Sequence, residues 1–145
     1  MTKINKTLAI VLKKQQLKDR DILVFVFSRD FGKLALIAKN IAKITSKRLS
    51  HIDTGNILRI YFYESNNGFY LSDTDLISGL FELKQDKYRI QELYTVLDFI
   101  DKHTVANQPE IKVFNMLLDY FKQILQQTAK FESFKADVLK ELGFS

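Results

Sequence analysis

Phe27-Ser28-Arg29-Asp30-Phe31-Gly32-Lys33-Leu34-Ala35-Leu36-Ile37-Ala38-Lys39-Asn40 is the stretch from which the fold can be read. An apolar run, Ile22 to Phe27, enters a turn built on Asp30-Phe31-Gly32, and a second run leaves it with lysines at both ends. Gly32 supplies the turn because glycine adopts backbone angles that side chains disfavour. Beyond it, Leu34, Leu36 and Ala38 share one face at period two, while Lys33, Ala35, Ile37 and Lys39 share the other. Ile22 to Phe27 is apolar on both faces, as in a strand covered on two sides. Strands joined by so short a turn pair antiparallel.

Working outward, Thr7-Leu8-Ala9-Ile10-Val11-Leu12 is a β-prone run with Leu8, Ile10 and Leu12 on one face. The polar residues from Lys13 to Asp21 read as a loop. Asn40 to Ser50 reads as an irregular basic connection with room for one helical turn. From Gly55 to Tyr63 the alternation is clean, with Leu58, Ile60 and Phe62 on one face and Arg59, Tyr61 and Tyr63 on the other. Ser65-Asn66-Asn67-Gly68 is a hairpin turn, since Asn and Gly tolerate the positive φ such turns require. Phe69 to Ser72 is the returning strand. Five short strands with a connection between the third and fourth predict a small barrel of the OB kind.

After Gly79 the period changes from two to 3.6. Ile90, Leu93, Tyr94, Leu97 and Ile100, widened by Phe99, make one helical stripe. Ile111, Phe114, Leu117, Leu118, Phe121 and Leu125 make a second, opened by Asn107-Gln108-Pro109-Glu110. Phe131, Phe134, Val138, Leu139 and Leu142 make a third, ended by Gly143. The expectation is an α+β chain: a five-stranded OB-fold domain over 1–78, followed by a three-helix bundle over 79–145.

The chain has 145 residues, is 46% hydrophobic and holds twelve Phe, ample for a core without staples. It has no Cys, which removes disulfides and thiolate metal sites and fits a reducing compartment. Only His51 and His103 offer imidazole, so neither a metal nor another cofactor is expected. There is no stretch of about 18 apolar residues and no signal-peptide block, and the expectation is a soluble cytoplasmic protein.

Charge is uneven. The formal net charge is +5, yet residues 1–78 carry +6 and residues 79–145 carry −1. Between Arg29 and His51, six cations (Arg29, Lys33, Lys39, Lys43, Lys47 and Arg48) face Asp30 alone. Single-stranded nucleic acid needs cations to track phosphates and aromatic faces to stack bases. Those six with Arg59 are the candidate cations, and Phe31, Tyr61 and Tyr63 the candidate stacking residues. For composition alone a solvated lysine face serves as well: Phe31 can fill its turn, and Tyr61 or Tyr63 can lie beneath the helices.

No catalytic constellation stands out: there is no Gly-rich phosphate loop, nucleophile elbow or zinc spacing. Asp73 and Asp75 could pair as the metal-binding carboxylates of a nuclease, but they sit where a strand end meets a helix start, a place where Asp caps, and capping is the stronger reading. His51, with Ser50 and Asp53 close by in the chain, reads as a surface histidine. An enzyme is therefore not expected.

Three pieces together carry a resemblance. Thr7 to Leu12, Phe27 to Lys39, and Ser46-Lys47 match, in order and spacing, the bacterial recombination mediator RecO family, over roughly residues 1 to 75. Leu139-Lys140-Glu141-Leu142-Gly143-Phe144 is similar to that family's Leu-Gly-Tyr segment. The resemblance implies an OB domain and a helical domain that bind single- and double-stranded DNA and anneal strands near the nucleoid. It also implies work with RecR and the single-stranded-DNA-binding protein to load RecA. Family members commonly continue into a cysteine zinc module, so this chain is expected to be a short member or an N-terminal piece; it also has Asn40 where the family has Gly. The helical half is the expected docking site for the acidic C-terminal tail of single-stranded-DNA-binding protein, with Phe121, Phe131 and Phe134 forming an apolar pocket rimmed by Lys122, Lys130 and Lys135. The alternative reading is an adaptor of the same fold with little DNA affinity, docking a repair partner through its helices.

Overall fold

The apolar residues sort into two cores that share a wall. The computed structural model describes residues 2–39, 46–66 and 68–144. β1 (Asn5–Gln16), β2 (Ile22–Ser28), β3 (Gly32–Ala38), β4 (Ile57–Ser65) and β5 (Gly68–Ser78) form a closed barrel in the order β1-β2-β3-β5-β4. All pairings are antiparallel except β3 with β5, which is parallel through Leu36 and Phe69 and through Ile37 and Tyr70. α1 (Ser46–His51) precedes β4, and α2 (Phe81–Lys84), α3 (Lys87–His103), α4 (Ile111–Leu125) and α5 (Phe131–Glu141) follow β5. This is the expected α+β architecture, an OB-like barrel followed by three long helices.

The period-two residues fill the barrel. Leu34, Leu36 and Ala38 meet Leu58, Ile60 and Phe62 inside it, joined by Ile22, Val24 and Val26 of β2. Ile52, just after α1, is wholly buried in the same cluster. The second core lies outside the barrel wall. Ile10, Leu12 and Phe27 turn outward and pack against Leu93, Val96, Ile100, Phe114 and Leu117 of the helices. Each such side chain contributes about 1.5–3 kcal/mol on burial. This explains why Ile22 to Phe27 is apolar throughout: its two faces serve different cores.

Several boundaries differ from the sequence expectation. Lys13 to Gln16 is strand, not loop, because the backbone of this polar segment pairs with Ile22 to Phe25. A short 3-10 turn at Lys18–Arg20 closes that hairpin, with Asp19 and Arg20 at positive φ. β5 runs to Ser78 rather than Ser72, so Asp73 and Asp75 stand in mid-strand and cap nothing. Bulges explain the miss, since the register with β4 shifts once near Ser72 and again near Ile77 and breaks the alternation. α4 starts at Ile111, with Glu110 as its N-cap residue and Pro109 before it. Tyr94 and Ile111 are half exposed, and Val96, Val113, Tyr120 and Ile124 are buried in the helical stripes instead. Gly143 ends α5 at φ +91°, where Phe144 N–H donates to Leu139 and Gly143 N–H to Lys140, the paired closure of a glycine-ended helix.

Candidate nucleic-acid interface

The turn that opens the cationic stretch is held by short polar contacts. Ser28 Oγ donates to the Gly32 carbonyl at 2.7 Å and accepts from Phe31 N–H at 3.1 Å. Thr7 Oγ1 donates to Asp30 at 2.7 Å and accepts from the Asp30 N–H at 3.2 Å. Asp30 in turn receives both Nε and Nη2 of Arg29, at 3.1 and 3.2 Å. The hydrogen bond from Arg29, then that from Thr7, holds the Asp30 carboxyl below its ordinary range. Arg29 is thereby fixed against β1, and its own N–H donates to the Leu8 carbonyl at 2.9 Å.

Across the β1–β4 ladder, Lys6 stands opposite Tyr61 and Leu8 opposite Arg59. Lys6, Thr7, Leu8, Arg29, Arg59 and Tyr61 line one groove of about 290 Å³ on the outer barrel face. Three cations thus converge from two strands and a turn, with the Tyr61 phenol beside them, and their ammonium and guanidinium donors suit phosphate oxygens. Arg29, Arg59 and Tyr61 were expected from the sequence. Lys6 was not, and the only signal for it was its place on the same face as Leu8 and Ile10 at period two. Two carboxylates border the groove: Asp75 lies opposite Arg59 and Asp73 opposite Tyr61. Tyr61 donates to Asp75 at 2.8 Å, and that bond pushes the phenol above its usual range.

A second group lies further along β4. Tyr63 stacks on Tyr70, with centroids 5.5 Å apart and planes 18° apart, and Lys39 Nζ stands 5.1 Å from the Tyr70 centroid. The other candidates are elsewhere. Phe31 packs edge-on against Phe62 at 5.2 Å, at the margin of the barrel core, so it fills its turn. Lys33 is turned to the helices, donating to the Asp101 carbonyl at 2.7 Å with the carboxylate at 3.4 Å. Lys43 lies outside the described residues; Lys47 and Arg48 are on α1, and their side chains lie outside what is described.

His51 is half-buried, not a surface residue: its Nδ1 lies 2.9 Å from Thr74 Oγ1, which takes it away from any arrangement with Ser50 and Asp53. Among the described residues, no three His, Asp or Glu side chains gather as a metal ion needs. No helix among them is long and apolar enough to cross a membrane.

In the helical half, Phe121 and Phe134 are 2% and 8% exposed. Both are core: Phe134 packs on Tyr120 at 4.4 Å and on Phe99 at 6.3 Å. The apolar pocket drawn from the sequence therefore does not form from these two rings, because α3, α4 and α5 close over them. Phe131 reaches a surface groove of about 350 Å³, which it shares with Tyr88, Glu92, Thr95, Tyr120 and Ala129. Burial, with the charge of Glu92 added, pushes the Tyr120 phenol up. Lys130 lines a different groove together with the edge of Phe134, beside Asp119 and Asp137. Lys122 is exposed and Lys135 half-buried.

The family described as "Recombination protein O N terminal" matches residues 1–80. A DNA repair protein RecO of Chlorobium limicola is 25% identical over 97% of the chain and 56% of its own length. RecO proteins of Pelodictyon phaeoclathratiforme and Shouchella clausii are 26% and 29% identical over 92% and 83% of the chain, and over 52% and 47% of their own lengths. The chain spans about half the length of the curated relatives it matches. With more than half of its residues inside the matched region, which holds the whole barrel and its cationic turn, the chain belongs to the recombination protein O N-terminal family.

Proposed function

We propose that the chain is a non-enzymatic DNA-binding module of recombinational DNA repair. In this reading residues 1–78 are the nucleic-acid-binding domain, and residues 79–145 a helical domain that supports it. The observation that carries the reading is the groove in which Lys6, Arg29, Arg59 and Tyr61 converge on the outer face of a closed five-stranded barrel. Such a groove meets phosphates through charge and donors, with no demand on base sequence. The proposal also takes in single- and double-stranded DNA as ligands, strand annealing, and action with RecR, single-stranded-DNA-binding protein and RecA at the nucleoid, supported by the chain's place in the recombination protein O N-terminal family.

The test is binding of a labelled single strand across a salt series. Affinity should fall linearly in log salt, by about 0.7 log units per phosphate contact. Arg59→Glu should weaken binding sharply. A flat salt response, or an unchanged affinity in that variant, overturns the reading.

One observation favours the adaptor as a second reading: the groove beside Phe131 offers apolar side chains on the helical surface. Its rim carries Glu92 rather than a lysine, which disfavours an acidic tail and favours a neutral or basic peptide.

A further inference from the structure

Tyr63 and Tyr70 occupy an unusual position among the aromatic contacts of the molecule. Phe31, Phe62 and Phe69 join edge to face in and around the barrel core, Phe99 meets Phe131 and Phe134 in the same way in the helical core, and Tyr120 lies tilted by 35° against Phe134. Tyr63 and Tyr70 are instead near-parallel, half-buried, and on the outer face of β4 and β5. The hairpin register sets this pair: from Ser65 opposite Gly68 the ladder runs without a break to Tyr63 opposite Tyr70, with Phe69 and Leu71 against the barrel core. Exposed Lys39 extends the row on the β3 side.

A cation over a ring also occurs at Lys13 and Phe25, but there the ammonium is paired with Asp101 and the ring packs on the helical core, whereas Lys39 and the two tyrosines lie together on the outer face. A row of two parallel rings and an ammonium is what an unpaired nucleotide needs: a flat face for the base and a charge for its phosphate. The row lies on the same face of β4 as Arg59 and Tyr61, roughly 13 Å from Arg59 along the strand at about 3.3 Å per residue. Bases in a duplex are stacked and paired, so they are not available to tyrosine rings, whereas phosphates are available in both forms.

We propose that the Tyr63 and Tyr70 pair, with Lys39, is a base-stacking station that gives this chain a preference for single strands over duplex. This rests on the DNA-binding function proposed above, with the Lys6, Arg29 and Arg59 groove serving both forms and the tyrosines serving the single strand alone.

The experiment compares the whole chain with a Tyr63→Leu, Tyr70→Leu variant and a Tyr63→Phe, Tyr70→Phe variant. Each is titrated with a labelled single strand and with the same sequence as duplex, and circular dichroism checks the fold. The leucine variant should lose about 5- to 100-fold in affinity for the single strand and keep its affinity for duplex. The phenylalanine variant keeps both rings and should keep the preference. A 2-aminopurine base in the strand should dim on binding the unaltered chain and the phenylalanine variant, and not on binding the leucine variant. Equal losses on single strand and duplex, or no loss on the single strand, overturn the stacking station while leaving the phosphate groove standing. Absence of binding to either DNA by the unaltered chain overturns both.

Discussion

Lys33 Nζ donates to the backbone carbonyl of Asp101 at 2.7 Å, tying the cationic strand β3 to the end of α3 across 68 residues of chain. Lys13 of β1 meets the Asp101 carboxylate at 2.9 Å. Burial alone pushes the Asp101 carboxyl up, but the hydrogen bond from Lys13 and the charge of Lys33 outweigh it and hold the group below its ordinary range. A carboxyl held low in the folded state contributes stability above its unfolded pKa, near 4. That contribution disappears as pH falls through the lower folded value. Asp101→Asn should cost roughly 1–2 kcal/mol at pH 7 and almost nothing near pH 2, measured as thermal midpoints across pH.

Lys33 and Arg59 should separate stability from binding. Lys33→Met should lower the thermal midpoint and leave DNA affinity nearly unchanged, since its ammonium is committed to Asp101. Arg59→Ala should do the reverse, and should reduce the single-strand salt slope by about 0.7. Paired melting curves and salt titrations on the two variants check this, and a large affinity loss in the Lys33 variant would contradict it.

Gly32 is at φ +74°, and a Cβ there collides with the backbone of Gln108 in the loop before α4. That loop also lies along β3, with Asn107 N–H donating to the Lys33 carbonyl at 2.8 Å. Gly32→Ala combines backbone strain with a clash that no side-chain rotation relieves, and should cost roughly 2–4 kcal/mol. Gly68→Ala, at φ +133° with nothing within 4 Å of the added carbon, meets strain alone and should cost less. Denaturant unfolding of the two variants gives the comparison.

Phe134→Ala removes a ring packed on Tyr120 and Phe99 and should cost about 3–5 kcal/mol. Phe131→Ala removes a ring only partly buried and should cost less, because part of the space it leaves opens to the groove. If the two losses are equal in chemical denaturation, the surface position of Phe131 is wrong.

The barrel was legible where burial and period agreed. Leu34-Leu36-Ala38 and Leu58-Ile60-Phe62 alternate because each strand there has one face inside, and the three long helices show their stripes for the same reason. Legibility failed where backbone pairing acts without side-chain pattern. Lys13 to Gln16 is polar on both faces, and only the ladder to Ile22–Phe25 makes it strand. The bulge near Ser72 breaks the period, so the length of β5 could not be read. Among the site residues, Arg59 and Tyr61 were visible on one face of an alternating strand, and Arg29 as a cation beside the turn. The commitment of Lys33 was not, because its partner, Asp101, lies on another element and no local spacing announces it.

β1 is the wall between the two cores, and neighbouring residues on it belong to different rooms. Val11 is buried inside the barrel, while Ile10 and Leu12 on either side of it are buried against the helices. A strand inserted this way cannot let go of one core while keeping the other, since the peptide bonds that position Val11 also position its neighbours. Heat or denaturant should therefore melt barrel and helices in one cooperative step. Detached from the helices, the barrel would present Ile10, Leu12 and Phe27 as a sticky apolar flank, inviting self-association where the intact chain presents helical surface.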